Sequence, residues 1–216
     1  GLDLLMPIQH PYGHRHEIAE MFGLDINKVV IHFPYVGGGF GSKELKTEHL
    51  IAILLARRSG RPVALQPSAE ESFRTDCRHA SVYKVRTGVK SDGTLVAQDI
   101  VLAMDKGAYG HGGMNVPRRA SSLSMGPYRL PNFRVVCRNY YTNKVPSGAM
   151  RALGRAQTTW AYESHYDEIA RKLGIEPGEF RLKNYLKRGD RILESLGPID
   201  SDMDDLQAKA IEAIGW

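Results

Sequence analysis

The run Val36-Gly37-Gly38-Gly39-Phe40-Gly41-Ser42-Lys43-Glu44 constrains this chain more than any other stretch. Four glycines around one aromatic give a backbone that can come very close to a ligand or to another segment, because glycine has no Cβ and tolerates positive φ. The run follows a predicted strand over 28–33 and opens a predicted helix from Lys43 to about Arg58. The unpaired N–H groups and partial positive charge of a helix start suit oxo or phosphate oxygens. The spacing is neither a Walker A loop nor a GxGxxG fingerprint, because Glu44 follows the lysine and the glycines are differently placed.

Around this run the chain alternates helix and strand signals. Residues 11–23 read as a helix with Ile18, Ala19 and Phe22 on one side and a stop at Gly23. The helix over 43–58 carries a stripe of Leu45, His49, Ala52 and Ala56 and ends in Arg57-Arg58-Ser59-Gly60, favourable C-terminal chemistry. A strand is expected over 63–66, and a hairpin over 82–89 and 94–104 about the turn Ser91-Asp92-Gly93. A further strand is expected over 133–142, then helices over about 158–173 and 177–187, a polar loop and a last helix over 203–214. No clean βαβ period emerges, which favours an α+β fold with mixed β-sheet layers and packed helices. The length allows one domain or two subdomains, about 1–67 plus 145–216 and 68–144.

The longest apolar run, 50–56, is far too short to span a bilayer. The first residues lack a basic segment followed by an apolar one, so no signal peptide is expected; a first residue other than Met suggests an excised piece. Two cysteines, Cys77 and Cys137, give neither a framework nor a CxxC pair, and fit a reducing, cytoplasmic location. No ligand set for an iron–sulfur cluster is present. The net charge is +5, but Lys and Arg are scattered among Asp and Glu, which argues against nucleic acid and equally suits a polyanionic cofactor or acidic partners. His10, His14 and His16 do not share one helical face, which argues against a metal trio; His49, on an apolar stripe, reads as a buried, hydrogen-bonded histidine.

Further segments stand in order with the glycine run. They are Pro7-Ile8-Gln9-His10-Pro11, Glu71-Ser72-Phe73-Arg74-Thr75-Asp76-Cys77-Arg78-His79, Lys90-Ser91-Asp92-Gly93 with Asp105-Lys106-Gly107-Ala108-Tyr109, Tyr128-Arg129-Leu130-Pro131-Asn132, and Ala149-Met150-Arg151-Ala152-Leu153-Gly154-Arg155-Ala156-Gln157. Together they resemble the xanthine dehydrogenase/aldehyde oxidase family of molybdenum hydroxylases, in the first lobe of its molybdopterin-binding large subunit. The glycine run is similar to the family's Gly-Gly-Gly-Phe-Gly-Gly-Lys-Glu loop, and Gln9 stands 31 residues before Phe40, as in the family. The last segment resembles Met-Arg-Gly-Phe-Gly-x-Pro-Gln, and the helical stretch that follows, through Arg181-Leu182-Lys183-Asn184, also reads as family sequence. Ser42, Ala80, Ala152 and Arg155 depart from the family pattern.

The resemblance implies a molybdenum cofactor-binding type of fold and an oxidoreductase that hydroxylates an aldehyde, purine or aromatic heterocycle with water as oxygen source. It implies that Gln9, Gly39, Phe40, Gly41 and Arg151 bind the cofactor, with no direct protein ligand to the metal. Gln9 would orient an oxo ligand, where its plain reading is a polar residue before a helix. Phe40 would be a wall beside the metal, where its plain reading is a core residue in a tight strand-to-helix turn. Glu44 and Arg119 would stand on the substrate side. Glu44 reads equally as a carboxylate near a helix N-terminus, and Arg119, beside Arg118, as half of a solvated basic pair. The cofactor would be molybdopterin in a dinucleotide form. The partners would be a second lobe of the same large chain, domains or subunits with 2Fe–2S clusters and FAD, and a small organic substrate, with no nucleic acid and no membrane. The family's second lobe carries the general-base Glu in a Gly-Val-Gly-Glu segment that this chain lacks, so the isolated chain is expected to be inactive. The alternatives are a non-catalytic remnant acting as an assembly or docking module, and a nucleotide-binding protein using the glycine loop for phosphate.

Overall fold

The structure is a computed structural model that describes residues 1–109 and 115–216. The residues group into two compact units. The first comprises Gly1–His79, Lys106–Gly113 and Tyr141–Ala152; the second comprises Ala80–Asp105, Met114–Tyr140 and Leu153–Trp216. The C-terminal helices thus share a unit with the hairpin, whereas the sequence grouped them with residues 1–67.

In the first unit, β1 (Leu2–Leu5) and β2 (Val29–His32) pair in parallel, joined by α1 (Pro11–Met21). Pro11 starts α1 at a position where the missing N–H costs nothing. Ile18 and Ala19 of α1, Val29 of β2 and Ile53 of α2 (Thr47–Ser59) form its core, flanked by Leu2, Leu4, Phe22 and Leu45. Two sequence expectations fail here. The helix expected from Lys43 begins at Thr47, because Lys46 is already extended and acts as its N-cap. The strand expected over 63–66 is irregular chain, since its β-branched and apolar residues find no strand to pair with among the described residues. A short helix, α3 (Ala69–Thr75), follows behind a reciprocal cap: Ser68 Oγ accepts from the Glu71 N–H, and the Glu71 carboxylate accepts from the Ser68 N–H.

The second unit is built on a sheet ordered β3 (Ser81–Val89), β4 (Leu95–Gly107), β5 (Asn132–Tyr141). β3 and β4 are antiparallel from Ser81↔Met104 to Val89↔Leu95, with a register shift at Gly88/Val89. Period-2 burial puts Gln98, Ile100, Leu102 and Met104 of β4 inside. α4 (Asn115–Ser122) and α5 (Arg155–Leu173) cover that face: Val116 and Ala120 pack on Ile100, Leu102 and Met104. The Tyr83 hydroxyl meets Thr158 Oγ1 at 2.8 Å, and the Tyr166 hydroxyl donates to Gln98 Oε1. α6 (Pro177–Asn184) and α7 (Met203–Ile214) complete the unit, capped by Glu176 and Asp202, whose carboxylates accept from first-turn N–H groups.

Tyr128 is the centre of this core. Its ring is fully buried, stacks on Tyr185 at 5.3 Å and meets Tyr166 edge-on at 4.8 Å. Its hydroxyl donates to the Glu163 carboxylate at 2.8 Å, and Arg181 closes the group, donating to Glu163 and pairing with Asp167. Burial, reinforced by the Glu163 charge, drives the Tyr128 hydroxyl far above its ordinary pKa, so it stays a donor. Among the described residues no helix is long and apolar enough to cross a membrane.

Asn184 locks the hairpin turn to α6. Its Oδ1 accepts from the Leu95 N–H at 2.9 Å, and its Nδ2 donates to the Gly93 and Phe180 carbonyls. Asn184→Ala strands a buried donor and a buried carbonyl, so it is expected to lower stability by about 3 kcal/mol. Urea unfolding measures this; an unchanged midpoint would contradict the assignment.

Candidate functional site

The glycine run lies in an irregular connection between β2 and α2, so it is not a tight strand-to-helix turn. Phe40 is 64% exposed, which overturns its reading as a core residue. The loop is shaped by close approach instead. A Cβ on Gly39 would lie 2.4 Å from the Gln9 side-chain amide, so the first motif residue rests directly on the loop. The Gln9 N–H also donates to the Lys43 carbonyl at 2.9 Å, tying the start of α1 to the loop's far end. Gly41 has φ +108, and a Cβ there would stand 1.8 Å from the Ala149 carbonyl oxygen.

The second motif therefore packs on the first within one unit. The Arg151 N–H donates to the Phe40 carbonyl at 2.8 Å, and the Arg151 guanidinium lies over the Phe40 ring, 5.4 Å from its centroid. Arg78 donates to the Arg151 carbonyl at 2.9 Å. Upstream, the Gly148 N–H donates to the Cys77 carbonyl and the Ser147 N–H to the Lys106 carbonyl. Asp76 lies against Gly148 and pairs with Lys46 at 3.3 Å, both side chains nearly buried. The segments at 76–79 and 105–109 thus contribute their backbone and a buried ion pair to seating the second loop. Sequence reading gave neither Arg78 nor the Lys46–Asp76 pair a role, because nothing local marks which distant groups they meet.

Backbone strain concentrates in the same two loops. Among the described residues, Phe40 (φ 54), Ala152 (φ 76) and Leu153 (φ 48) are the non-glycine residues with positive φ. Such conformations cost about 1–3 kcal/mol each and persist where surrounding contacts impose them. Among the described residues the N–H groups of Gly38, Gly39, Phe40 and Gly41 donate to no protein acceptor. These loop amides, the Gln9 amide and the Arg151 guanidinium form a donor-rich set suited to anionic oxygens.

Gln9, Gly39, Phe40, Gly41 and Arg151 are therefore brought together. Glu44 lies three residues before α2 and not in its first turn, which removes the helix-N-terminus reading; Glu48 holds that place. The Glu44 Oε2 meets His14 Nε2 at 3.1 Å. Arg119 lies on α4 in the second unit; Arg118 and Arg119 are both exposed, so exposure does not choose between them. His49 is half-buried, and its Nδ1 accepts from the Lys46 N–H at 3.1 Å, closing the start of α2. Among the described residues no cluster of three or more His, Cys, Asp or Glu is placed to hold a metal ion. Two grooves, about 700 Å³ beside Arg86, Asp99 and Arg134 and about 430 Å³ beside Arg171, Gly178 and Trp216, are lined by none of Gln9, Gly39, Phe40, Gly41, Glu44, Arg119 or Arg151.

The sequence model of the family described as molybdopterin cofactor-binding domain matches residues 1–185. The chain is 35% identical to a probable xanthine dehydrogenase subunit of Bacillus subtilis (strain 168), covering 93% of this chain and 26% of that protein. It is 33% identical to the "Nicotinate dehydrogenase large molybdopterin subunit" of Eubacterium barkeri, over all of this chain and 52% of that one. The aldehyde oxidoreductase structure from Desulfovibrio gigas superposes with a TM-score of 0.81 at 28% identity, covering 96% of this chain and 23% of that chain. The chain thus spans about a quarter to a half of the length of these curated relatives.

Two outcomes follow. Gly41→Val forces a side chain into the Ala149 carbonyl at a backbone angle valine resists. It is expected to free the loops, read as faster amide exchange at Arg151; unchanged exchange would refute the seating. Burial holds the His49 pKa below its ordinary 6.5. The unfolded chain then takes up a proton that the folded chain refuses, so stability falls as pH drops below about 6.5. The fall in melting temperature from about pH 7.5 to about pH 5.5 should be smaller in His49→Gln than in the wild type.

Proposed function

The chain belongs to the molybdopterin cofactor-binding domain family of the molybdenum hydroxylases, and from that premise we propose that it forms the cofactor-facing first lobe of an enzyme that hydroxylates an aldehyde, purine or aromatic heterocycle with water. The observation that carries this reading is the seating of the second motif on the first, which gathers Gln9, the loop amides and Arg151 around one donor-rich surface. A bound molybdopterin, proposed in a dinucleotide form, supplies the oxygen- and electron-transfer chemistry.

The chain's own residues bind and orient. The Gln9 amide, held in place by its contact with Gly39, and the amides of Gly39, Phe40 and Gly41 would be the donors that hold the cofactor. The exposed Phe40 ring, braced by Arg151, would wall the site and limit water. Glu44 contacts the substrate, accepting from an N–H, and stabilises charge that develops as the substrate reacts. Arg119, or its neighbour Arg118, offers a planar fork to a substrate carbonyl or carboxylate. The general base is proposed to come from a second lobe, because the chain has no Gly-Val-Gly-Glu segment. Domains or subunits with 2Fe–2S clusters and FAD would carry the electrons away, in the cytoplasm, and the 216-residue chain alone would not turn over.

Molybdenum analysis of the complete protein, purified from a host that makes the cofactor, tests this reading. Stoichiometric metal with a pterin fluorophore is expected in the wild type and its loss in Gly41→Val. A metal-free wild type would overturn the reading and favour a docking role. In the complete enzyme Glu44→Gln should lower kcat/KM by about a hundredfold; unchanged kinetics would remove Glu44 from the substrate side.

A further inference from the structure

We propose that His14 is the positioning residue for Glu44, fixing its carboxylate relative to Gln9; the inference rests on the substrate-side reading of Glu44. His14 lies on α1 and is 8% exposed. Its Nε2 stands 3.1 Å from Glu44 Oε2, and its Nδ1 stands 2.9 Å from Glu17 Oε2. Ionised carboxylates only accept hydrogen bonds. Both contacts are hydrogen bonds at once only when each ring nitrogen carries a proton. The ring then makes two charge-assisted bonds, and Glu17, one turn along α1, fixes its orientation.

The start of α1 therefore grips the segment after the glycine run at two points. The Gln9 N–H holds the Lys43 carbonyl, and the next residue's side chain is held by His14. One helix end thus sets the placement of Gln9 and Glu44 together. With Oε2 engaged, Oε1 makes no hydrogen bond to protein among the described residues and is the oxygen that meets a ligand. An acceptor there selects a substrate that presents an N–H and disfavours one that presents a carboxylate. His10 stands edge-on to His14 at 6.1 Å.

Two readouts test this. In the full chain, the His14 Nε2–H should appear as a slowly exchanging downfield proton resonance and vanish in Glu44→Ala. In the complete enzyme, His14→Ala should lower kcat/KM about ten- to a hundredfold, His14→Gln should recover part of it through its one amide donor, and His14→Ala added to Glu44→Gln should cost nothing further. A resonance that persists in Glu44→Ala, or fully additive losses, would overturn the proposal. If the resonance vanishes but Glu44→Gln leaves kinetics unchanged, the His14–Glu44 contact stands and the substrate-side reading of Glu44 fails.

Discussion

One contact organises the candidate site: the Arg151 N–H on the Phe40 carbonyl, with Gly41 pressed against Ala149 where no side chain fits. Each loop alone would be a strained, unpaired stretch of backbone. Ordering a residue costs about 1–2 kcal/mol, and each non-glycine residue at positive φ adds to that. Neighbouring contacts offset these terms. The Cys77 carbonyl accepts from the Gly148 N–H and the Lys106 carbonyl from the Ser147 N–H, Arg78 donates to the Arg151 carbonyl, and Lys46–Asp76 seals the flank. A buried ion pair of this kind adds little net stability when intact, yet breaking it by removing one partner is costly. Its value here is in fixing one arrangement of two loops.

The two units divide the physical work. The second is a conventional core, in which period-2 burial along β4 meets the apolar sides of α4 and α5. Tyr128, Glu163, Arg181 and Asn184 tie its buried polar groups into one another and into the backbone. The first unit has a smaller core about Ile18, Val29 and Ile53, and much of its chain is irregular. Irregular chain is where backbone amides stay available for a ligand, because strands and helices use theirs.

What was legible in the sequence follows from the range of the signal. The hairpin about Ser91-Asp92-Gly93 and the helix over 203–214 rested on local patterning, and they hold. The helix expected from Lys43 starts later: Lys43 and Glu44 are good helix formers by propensity, while the chain there is bent and held out of the helix by Gln9 and His14. That is tertiary structure overriding propensity. The expected strand over 63–66 failed for the converse reason: apolar residues that would fit a sheet form a strand only beside a partner, and among the described residues no strand pairs with them. His14 carried no readable role, since its partner lies 30 residues away and no spacing rule joins a helix to a loop.

The Asn184 lock also has a consequence in time. The carbonyl of Gly93 waits for a partner 91 residues further along the chain. At bacterial-to-eukaryotic rates of synthesis, roughly five to twenty residues per second, that interval is on the order of five to twenty seconds. Hairpins close in microseconds, so β3 and β4 meet long before α6 has been made. Through most of that interval the apolar inner face of β4 has α4 but not α5 over it. On the ribosome this protein carries a finished hairpin with a half-covered face, the kind of nascent surface that chaperones shield.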